Sequence, residues 1–406
     1  MKIAIIGGGA AGFFSAFSAK ENYPDAQVAI FEKSRNFLSK VKISGGGRCN
    51  VTNGCTDIKT LSKAYPRGGN VLKKAFHIFS TQDTIDWFEL RGVPLMTQED
   101  NCVFPISQDS QSIIDCFLKQ SKMLNIKIHL GRGVKAIHPI KGQLKLEFNK
   151  DEFPDEIFHK VIVATGGSPK RSGLEWLETL GHKIAEPVPS LFTFNMPSET
   201  IRELMGIVVE EALVNIQGTK LKSDGPLLIT HWGISGPAAI KLSAWCARAM
   251  ADANYEGNIL INWVPFYNEN SLRLEWMNFR QDLGRREMGS KNPFDLPQRL
   301  WHYLLTEAGV SLQTKWADLK NTHQQQLIQL LTRMSLSIKG KTTFKEEFVT
   351  CGGVDLAEID AGTMESKLVP GLHFAGEMMD VDGITGGFNF QHAWTSGWLA
   401  AQHMGA

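Results

Sequence analysis

Four residues near the N-terminus have the types and spacing needed to bind a dinucleotide. Gly7, Gly9 and Gly12 follow an apolar run, and Glu32 ends a second apolar run further along the chain. Such glycines allow a tight turn, a close approach of the backbone to a pyrophosphate, and close packing of the next helix on the strand. A carboxylate at this distance accepts hydrogen bonds from an adenosine ribose. The pattern predicts dinucleotide binding; a plain turn followed by a surface acid is the alternative.

Two residues are candidates for donating a proton to a substrate. His231 precedes Trp232 and Gly233, and histidine suits proton transfer near neutral pH. Cys49 follows Arg48, whose charge would lower the pKa of the thiol. The alternatives are a hydrogen-bonded structural histidine and a small buried cysteine. The residues themselves leave both roles open.

The segments that must position these residues alternate between strands and helices. Residues 3–6 and 28–31 are predicted to be buried strands with a small-residue helix between them. Residues 161–168 repeat the pattern of a buried strand that runs into glycine, so a second strand is expected to end beside the nucleotide. Residues 371–391 contain a strand, an acidic turn and a glycine pair that opens a helix over 392–402. This helix N-terminus is expected to face a ligand.

Other segments complete the pattern. Residues 40–53 contain three consecutive glycines between cations and small amides, which predicts a loop that approaches an anion or a flat ring. A flexible surface loop is the alternative. Residues 57–125 are predicted to be mostly helical and residues 126–148 to form strands. Residues 231–237 are predicted to be a turn that opens a helix ending at Met250.

Composition and charge narrow the class of protein. The chain has 406 residues, 43% apolar and 21% charged, with a net charge of +1, as in ordinary soluble globular proteins. A net charge this small produces no overall positive potential that would attract DNA or an anionic membrane, so stable DNA binding and membrane association are not expected. The nucleotide-binding strand starts too early for a cleaved signal, and no apolar run approaches transmembrane length, which predicts a cytoplasmic protein. Six scattered cysteines indicate neither a metal site nor disulfides.

The three nucleotide-edge motifs together resemble the FAD-binding domain of two-dinucleotide-type flavoproteins. A nicotinamide dehydrogenase would seldom need all three, so FAD is preferred over NAD as the resident cofactor. More narrowly, the chain resembles the YhiN/BaiN-type bacterial flavoproteins, also called aminoacetone oxidase-like, from residue 1 to about 402. The motifs that carry this resemblance, in chain order, are residues 43–53, 230–237, 363–367 and 376–391. One departure from the family pattern is the run Leu38-Ser39-Lys40-Val41-Lys42 before the first motif.

The resemblance implies an α/β fold, in which a two-dinucleotide-type (Rossmann-like) FAD-binding domain carries an inserted β-rich plus helical domain. The FAD-binding domain is expected at residues 1–189 and 343–406, and the insert domain at residues 190–342. The substrate, a small molecule or an RNA base, is expected in a cleft between the two domains.

The resemblance also implies a reductase of conjugated C=C bonds, with NADH or NADPH as a transient electron donor. The best substrate prediction is a uridine of 23S ribosomal RNA, reduced to dihydrouridine. Alternatives are an enone or steroid reductase, a flavin oxidase of small amines or amino ketones, and a redox-sensing flavoprotein that binds a partner. Basic residues that could meet RNA phosphates, or simply form solvated surface, are Lys59, Lys63, Arg67, Lys73, Lys74 and the Arg280–Lys291 cluster.

The predicted cofactor contacts come from four parts of the chain. The pyrophosphate and ribose contacts are Gly7, Gly9, Ala10, Ala11, Gly12, Glu32 and Lys33, with Val134, Ala164, Thr165 and Gly166 at neighbouring strands. The flavin-side contacts are Lys42, Ser44, Gly45, Arg48 and Asn50. The ribityl and ring contacts near the C-terminus are Gly376, Glu377, Asp380, Gly386, Gly387, Phe388 and Asn389, whereas Asp382 is as well explained by a solvated turn.

Overall fold

The computed structural model describes residues 1–342 and 349–405. Within these residues the chain forms two compact units. The first contains residues 1–190 together with 349–405, and the second contains residues 191–342. The first unit is therefore built from both ends of the chain, and the second is an insertion.

The strands and helices follow in chain order. Up to residue 190 they are β1 (Lys2–Ile6), α1 (Ala10–Asn22), β2 (Gln27–Glu32), α2 (Ser39–Gly47), β3 (Thr52–Asn53), α3 (Ile58–Ser62), α4 (Gly69–Ala75), α5 (Thr81–Glu89), β4 (Leu95–Thr97), β5 (Cys102–Pro105), α6 (Gln111–Met123), β6 (Lys127–Leu130), β7 (Val134–Ile140), β8 (Gln143–Phe148), β9 (Glu156–Phe158), β10 (Lys160–Val163), α7 (Glu175–Glu178) and β11 (Ile184–Ser190). The insertion contains β12 (Thr193–Asn195), β13 (Val208–Ile216), β14 (Lys222–Ile229), β15 (Gly233–Ser235), α8 (Pro237–Asp252), β16 (Glu256–Asn262), α9 (Glu269–Leu283), α10 (Gln298–Glu307), α11 (Asn321–Arg333), β17 (Met334–Lys339) and β18 (Lys341–Thr342). The C-terminal part contains β19 (Val349–Val354), β20 (Leu372–Phe374) and α12 (Phe388–Gln402).

A five-stranded parallel sheet organises the first unit. Its strand order is β20-β10-β1-β2-β6, and the register pairs Ile6 with both Phe31 and Val163. Val163 in turn pairs with Phe374 of β20. Because these strands are parallel, the segments that leave them all emerge at one edge, where open α/β sheets bind ligands. The sheet thus brings three distant stretches of sequence to a single place.

Helix α1 is buried almost from end to end. Its residues Ala11–Ala19 are shielded from solvent, because one side faces the sheet and another packs against α12. A Cβ added at Gly397 would lie 2.8 Å from the Ala11 carbonyl oxygen, so the two helix backbones are close. Phe14 contacts Trp87 and Trp394, with ring centroids 4.7 and 5.2 Å apart. This aromatic core fixes the helix whose N-terminus reaches the ligand edge.

The inserted unit has its own sheet and core. Seven strands form a sheet in the order β17-β16-β13-β14-β15-β12-β18, with antiparallel pairing throughout. Helices α9, α10 and α11 belong to a helical part around Trp276, Trp301 and Trp316, all fully buried. The predicted fold class, a Rossmann-like domain with a β-rich plus helical insertion, is confirmed.

Two local predictions need correction. Residues 231–237 were expected to be only a turn, but Gly233–Ser235 form β15 and pair with β12 and β14. Residues 39–43 are helical, although the loop prediction holds for Ser44, Gly45 and Gly46, which have non-helical backbone angles. In both places the tertiary neighbours decide the conformation, and local composition does not contain them. The predicted helices at 111–124 and 392–402 and the strand at 208–217 are confirmed.

Among the described residues, no helix combines the length and the apolar character that crossing a bilayer requires.

Candidate cofactor and active site

The glycine turn between β1 and α1 has the tight geometry that its sequence predicts. Gly7 has a φ of +116°, and a Cβ there would overlap the backbone oxygen of Ala164 at the end of β10. A Cβ at Gly12 would overlap the Gly7 carbonyl oxygen. At Gly9, by contrast, an added Cβ would meet no atom within 4 Å. The first and third glycines are therefore needed for packing, and the second leaves the backbone open towards a ligand.

The carboxylate of Glu32 closes this turn from the end of β2. Its Oε2 accepts a hydrogen bond from the Gly8 backbone N–H at 2.8 Å, and its Oε1 accepts one from Ser34 at 2.8 Å. Each carboxylate oxygen keeps a further lone pair for a ribose hydroxyl. Lys33, the next residue after Glu32, is exposed. Val134 is the first residue of β7.

The end of β10 lies directly against the same turn. The Ala164 N–H donates to the Ile6 carbonyl oxygen at 2.8 Å. Thr165 follows, and Gly166 has a φ of +75°. A Cβ built on Gly166 would lie 4.0 Å from Glu377 Oε2. The residues predicted after β1, β10 and β20 are thus neighbours at one edge of the sheet.

The glycine-rich segment 44–50 contacts the C-terminal glycine pair. With its amide oriented to satisfy its partners, Asn50 donates to the Thr52 carbonyl oxygen at 2.9 Å and accepts from the Gly387 N–H at 3.1 Å. Asn53 Nδ2 donates to the Gly386 carbonyl oxygen at 3.0 Å. At Gly46 an added Cβ would meet no atom within 4 Å. Two segments more than 330 residues apart therefore form one surface.

The cations of this segment have different positions. Lys40 Nζ forms an ion pair with Glu377 Oε2 at 2.6 Å. Lys40 and the predicted contact Lys42 are both exposed. Residues two apart on a helix point to different sides, so only one of these lysines can face Glu377. Lys42 stays a predicted flavin-side contact, and the sequence prediction did not include Lys40, the lysine that pairs with Glu377.

Glu377 and the start of α12 form the other side of the candidate site. Glu377 Oε1 accepts a hydrogen bond from the Thr350 N–H at 2.8 Å. Asn389 exchanges two hydrogen bonds with the Gly383 backbone, at 2.8 and 2.9 Å. The Gly376 N–H donates to Ser396 Oγ at 2.8 Å. The carboxylate and both glycine turns are therefore held in place by the protein itself.

Asp382 is a buried ion-pair partner, so its interpretation as a solvated turn residue is wrong. The residue is 0% exposed, and its Oδ1 accepts from Arg67 Nε at 2.5 Å while Oδ2 pairs with Arg67 Nη2. Ser190 Oγ donates to the same carboxylate at 2.6 Å. This pair joins the turn after Asp380 to the residues between α3 and α4. No local signal identifies it, because the two partners are 315 residues apart.

Replacing Asp382 is expected to destabilise the first unit strongly. Asp382→Asn would leave the Arg67 guanidinium without its counter-charge, which costs about 3 kcal/mol or more for a buried pair. The free energy of unfolding, measured by urea denaturation of the flavin-loaded protein, should fall by this amount. Glu147→Gln removes the carboxylate of an exposed ion pair with Lys135 and should leave the urea midpoint unchanged. If Asp382→Asn lowered the free energy of unfolding as little as Glu147→Gln does, the stabilising role of the buried Arg67–Asp382 pair would be contradicted.

The two candidate proton donors differ in their surroundings. Burial raises the pKa of the Cys49 thiol to about 12, with the hydrogen bond to Ser44 acting in the opposite direction. Arg48 does not lower it as expected, because its guanidinium lies 4.2 Å from the Phe104 ring centroid and donates to the Gly45 carbonyl oxygen. His231 is exposed in the inserted unit, and its ring packs edge-on against Trp232 at 4.5 Å. Of the two, only His231 is accessible to a substrate, because Cys49 is fully buried.

His392 on α12 makes stability depend on pH. Burial lowers its pKa from 6.5 to about 4, and the nearby Gly376 and Glu377 oppose this shift. The unfolded chain therefore binds a proton at a higher pH than the folded chain does. The stabilisation is complete above pH 6.5 and is lost as the pH falls towards 4, by up to about 3 kcal/mol. In His392→Leu the urea-denaturation midpoint should depend less on pH between 6.5 and 4. In the control His138→Gln, at an exposed position, the pH dependence of the midpoint should be unchanged. An unchanged pH dependence in His392→Leu would contradict this prediction.

The residues gathered at this edge fit FAD. The N-termini of α1 and α12 present backbone N–H groups that have no partner within their helices, and such ends attract phosphate or electron-rich groups. The backbone at Gly9 and Gly46 faces open space. The buried hydroxyl of Thr350, next to Glu377, has no hydrogen-bond partner among the residues described. The α1 turn would hold the pyrophosphate, Glu32 the ribose, and residues 44–50 with 386–389 the ring.

The chain matches a family model over nearly its whole length. The model described as "HI0933-like protein Rossmann domain" matches residues 1–403. A 3-dehydro-bile acid delta(4,6)-reductase of Clostridium scindens is 27% identical, with 99% of this chain and 98% of the relative covered. A ribosomal RNA dihydrouridine synthase of Escherichia coli is 30% identical, with 98% of this chain and 97% of the relative covered. The family resemblance predicted from the four motifs is confirmed.

Solved structures agree on the fold. A 3-ketosteroid-delta4-(5alpha)-dehydrogenase from Rhodococcus jostii has a TM-score of 0.50 at 12% identity, and the alignment covers 98% of this chain and 96% of that one. At this identity the likeness concerns the architecture alone.

Proposed function

The chain belongs to the HI0933-like family and is an FAD-dependent oxidoreductase; from this premise we propose that it is an NAD(P)H-driven reductase of a conjugated C=C bond. The proposed substrate is a uridine of 23S ribosomal RNA, and the product is dihydrouridine. The observation that carries the substrate proposal is the 30% identity, over 98% of this chain, to a ribosomal RNA dihydrouridine synthase.

Bound FAD would supply hydride chemistry, receiving a hydride from a nicotinamide and passing it to the substrate. The residues around Gly387 would stabilise negative charge on a group bound beside them. Gly387 precedes α12, so the positive end of this helix faces the position proposed for the ring. A helix N-terminus stabilises negative charge on a neighbouring group. This helix end would thereby stabilise negative charge on a group held beside it.

The second requirement is a proton for the substrate. Reduction of C=C–C=O adds a hydride at one carbon and a proton at the other, and a positioned acid accelerates that step. We assign the proton to His231, because its ring is exposed and histidine is a common general acid. The sequence contains no second GxGxxG motif, so the nicotinamide donor is proposed to bind transiently at the same site.

The test uses ribosomal RNA from a strain in which the gene is deleted. Purified flavin-loaded protein is incubated anaerobically with this RNA and NADPH or NADH, and RNA fragments are analysed by mass spectrometry. The proposal expects one uridine to gain two hydrogens only when protein and nicotinamide are both present. An unchanged RNA map with both nicotinamides would contradict it.

An enone or steroid reductase is the second candidate, favoured by the 27% identity to the bile acid reductase. Both substrates are conjugated carbonyl systems, so the same cofactor and proton donor would serve either one. A 3-keto-4-ene steroid should be tested beside the RNA. Reoxidation of the reduced protein by the steroid, but not by RNA, would make this candidate the better one; peroxide formation with an amine would instead favour an oxidase.

A further inference from the structure

The segment from α3 to α4, residues 58–77, has an unusual charge. It contains five cations and no acidic residue, in a chain whose 43 basic and 42 acidic residues nearly balance. We call residues 58–77 the α3–α4 segment. Such a local excess attracts polyanions even when the net charge of the protein is close to zero.

Four of these cations point to solvent. Lys59, Lys63, Lys73 and Lys74 are exposed, while the apolar side chains of both helices, such as Leu72, are buried. Among the residues that the structure describes, none of the four lysines forms an ion pair. Their charges are therefore available to an external partner.

The α3–α4 segment is attached to the turn that leads into α12. The Ile384 N–H donates to the Ala64 carbonyl oxygen at 2.9 Å, and the buried Tyr65 hydroxyl donates to the Phe388 carbonyl oxygen at 2.7 Å. The buried pair of Arg67 and Asp382 adds a third connection. The α3–α4 segment thus has a fixed position beside residues 382–388, which include Gly386, Gly387 and Phe388 of the proposed ring site.

The other basic cluster, in the inserted unit, is less suited to phosphates. Arg280 is half-buried and donates to the Leu319 carbonyl oxygen and to Gln324 Oε1. Asp282 and Glu287 lie among the remaining cations of that cluster and offset part of their charge. Charge and exposure both favour the α3–α4 segment.

We propose that Lys59, Lys63, Lys73 and Lys74 bind phosphates of the RNA whose uridine is reduced. The inference rests on the proposed function and assigns the surface that positions its substrate. Phosphate contacts fix the position and orientation of a nucleic acid without reading its sequence. A small free enone has no phosphates and would not need these lysines.

The test compares two quadruple variants in the full-length, flavin-loaded protein. The first is Lys59→Gln, Lys63→Gln, Lys73→Gln and Lys74→Gln; the control replaces four exposed lysines elsewhere in the same unit by glutamine, namely Lys119, Lys122, Lys127 and Lys141. Binding of a 23S ribosomal RNA transcript is measured between about 50 and 200 mM salt. The first variant should lose about tenfold or more in affinity, and its salt dependence should decrease by about 2–3 units of slope.

The control should bind RNA within about twofold of the unmodified protein, and both variants should keep normal bleaching of the flavin by NAD(P)H. The proposal is overturned if the first variant binds RNA like the control, or if the unmodified protein shows no salt-dependent RNA binding. Failure of the proposed function has a different signature, since RNA would then bind through these lysines without reduction of any uridine.

Discussion

Gly387→Ala is expected to weaken FAD binding strongly. Gly387 has a φ of +87°, and a Cβ there would overlap the Thr52 backbone oxygen and lie 2.9 Å from the side-chain amide of Asn50. Ordinary residues pay about 1–2 kcal/mol for such a backbone conformation, and the overlap must also displace the turn that opens α12. We expect the purified variant to contain little FAD and the affinity of the apoprotein to fall by about 100-fold, which corresponds to about 2.8 kcal/mol.

The matched control is Gly92→Ala. Gly92 has a similar φ of +82°, but a Cβ there would meet no atom within 4 Å. The Gly92→Ala variant therefore has the same unfavourable backbone conformation without the steric overlap, and it should keep its FAD. Flavin content by absorbance and affinity by flavin fluorescence measure the difference, and circular dichroism of both apoproteins shows that they are folded. Normal FAD content in Gly387→Ala would contradict the proposed position of the ring.

His231→Asn is expected to lower the rate of C=C reduction by about 10²- to 10⁴-fold, the usual contribution of a general acid. Reduction of the flavin by NAD(P)H needs no proton for the substrate and should be unaffected. Single-turnover measurements of the two half-reactions, with flavin absorbance as the signal, separate these effects.

Cys49→Ala is the comparison for this experiment. With a thiol pKa of about 12, Cys49 cannot release a proton efficiently near pH 7, so its replacement should leave both half-reactions close to normal. A large loss in Cys49→Ala with a normal His231→Asn would reverse the assignment of the proton donor.

The glycine motifs could be recognised in the sequence because their requirements are local. A residue that must avoid the neighbouring backbone, as Gly12 and Gly7 must, has to be glycine whatever surrounds the turn. The order of strands and helices near them also follows from short apolar runs. Because both signals are local, the architecture of the first unit and its ligand edge could be predicted from the sequence.

Other features depend on partners that are distant in sequence. Asp382 resembles a turn acid until Arg67 is placed beside it, and Lys40 differs from Lys42 only through the face of α2 that meets Glu377. The pKa of Cys49 was expected to be low beside Arg48, but complete burial of the thiol raises it. These outcomes depend on tertiary packing, which composition and spacing do not encode.

An anaerobic absorbance titration of the flavin-loaded protein tests the central claim most directly. NADH or NADPH is added until the flavin is bleached, excess nicotinamide is removed, and unmodified 23S ribosomal RNA is then added. We predict bleaching by a nicotinamide, followed by recovery of the oxidised flavin spectrum together with one dihydrouridine for each flavin reoxidised. A flavin that neither nicotinamide bleaches would contradict the claim that this protein is an NAD(P)H-driven reductase.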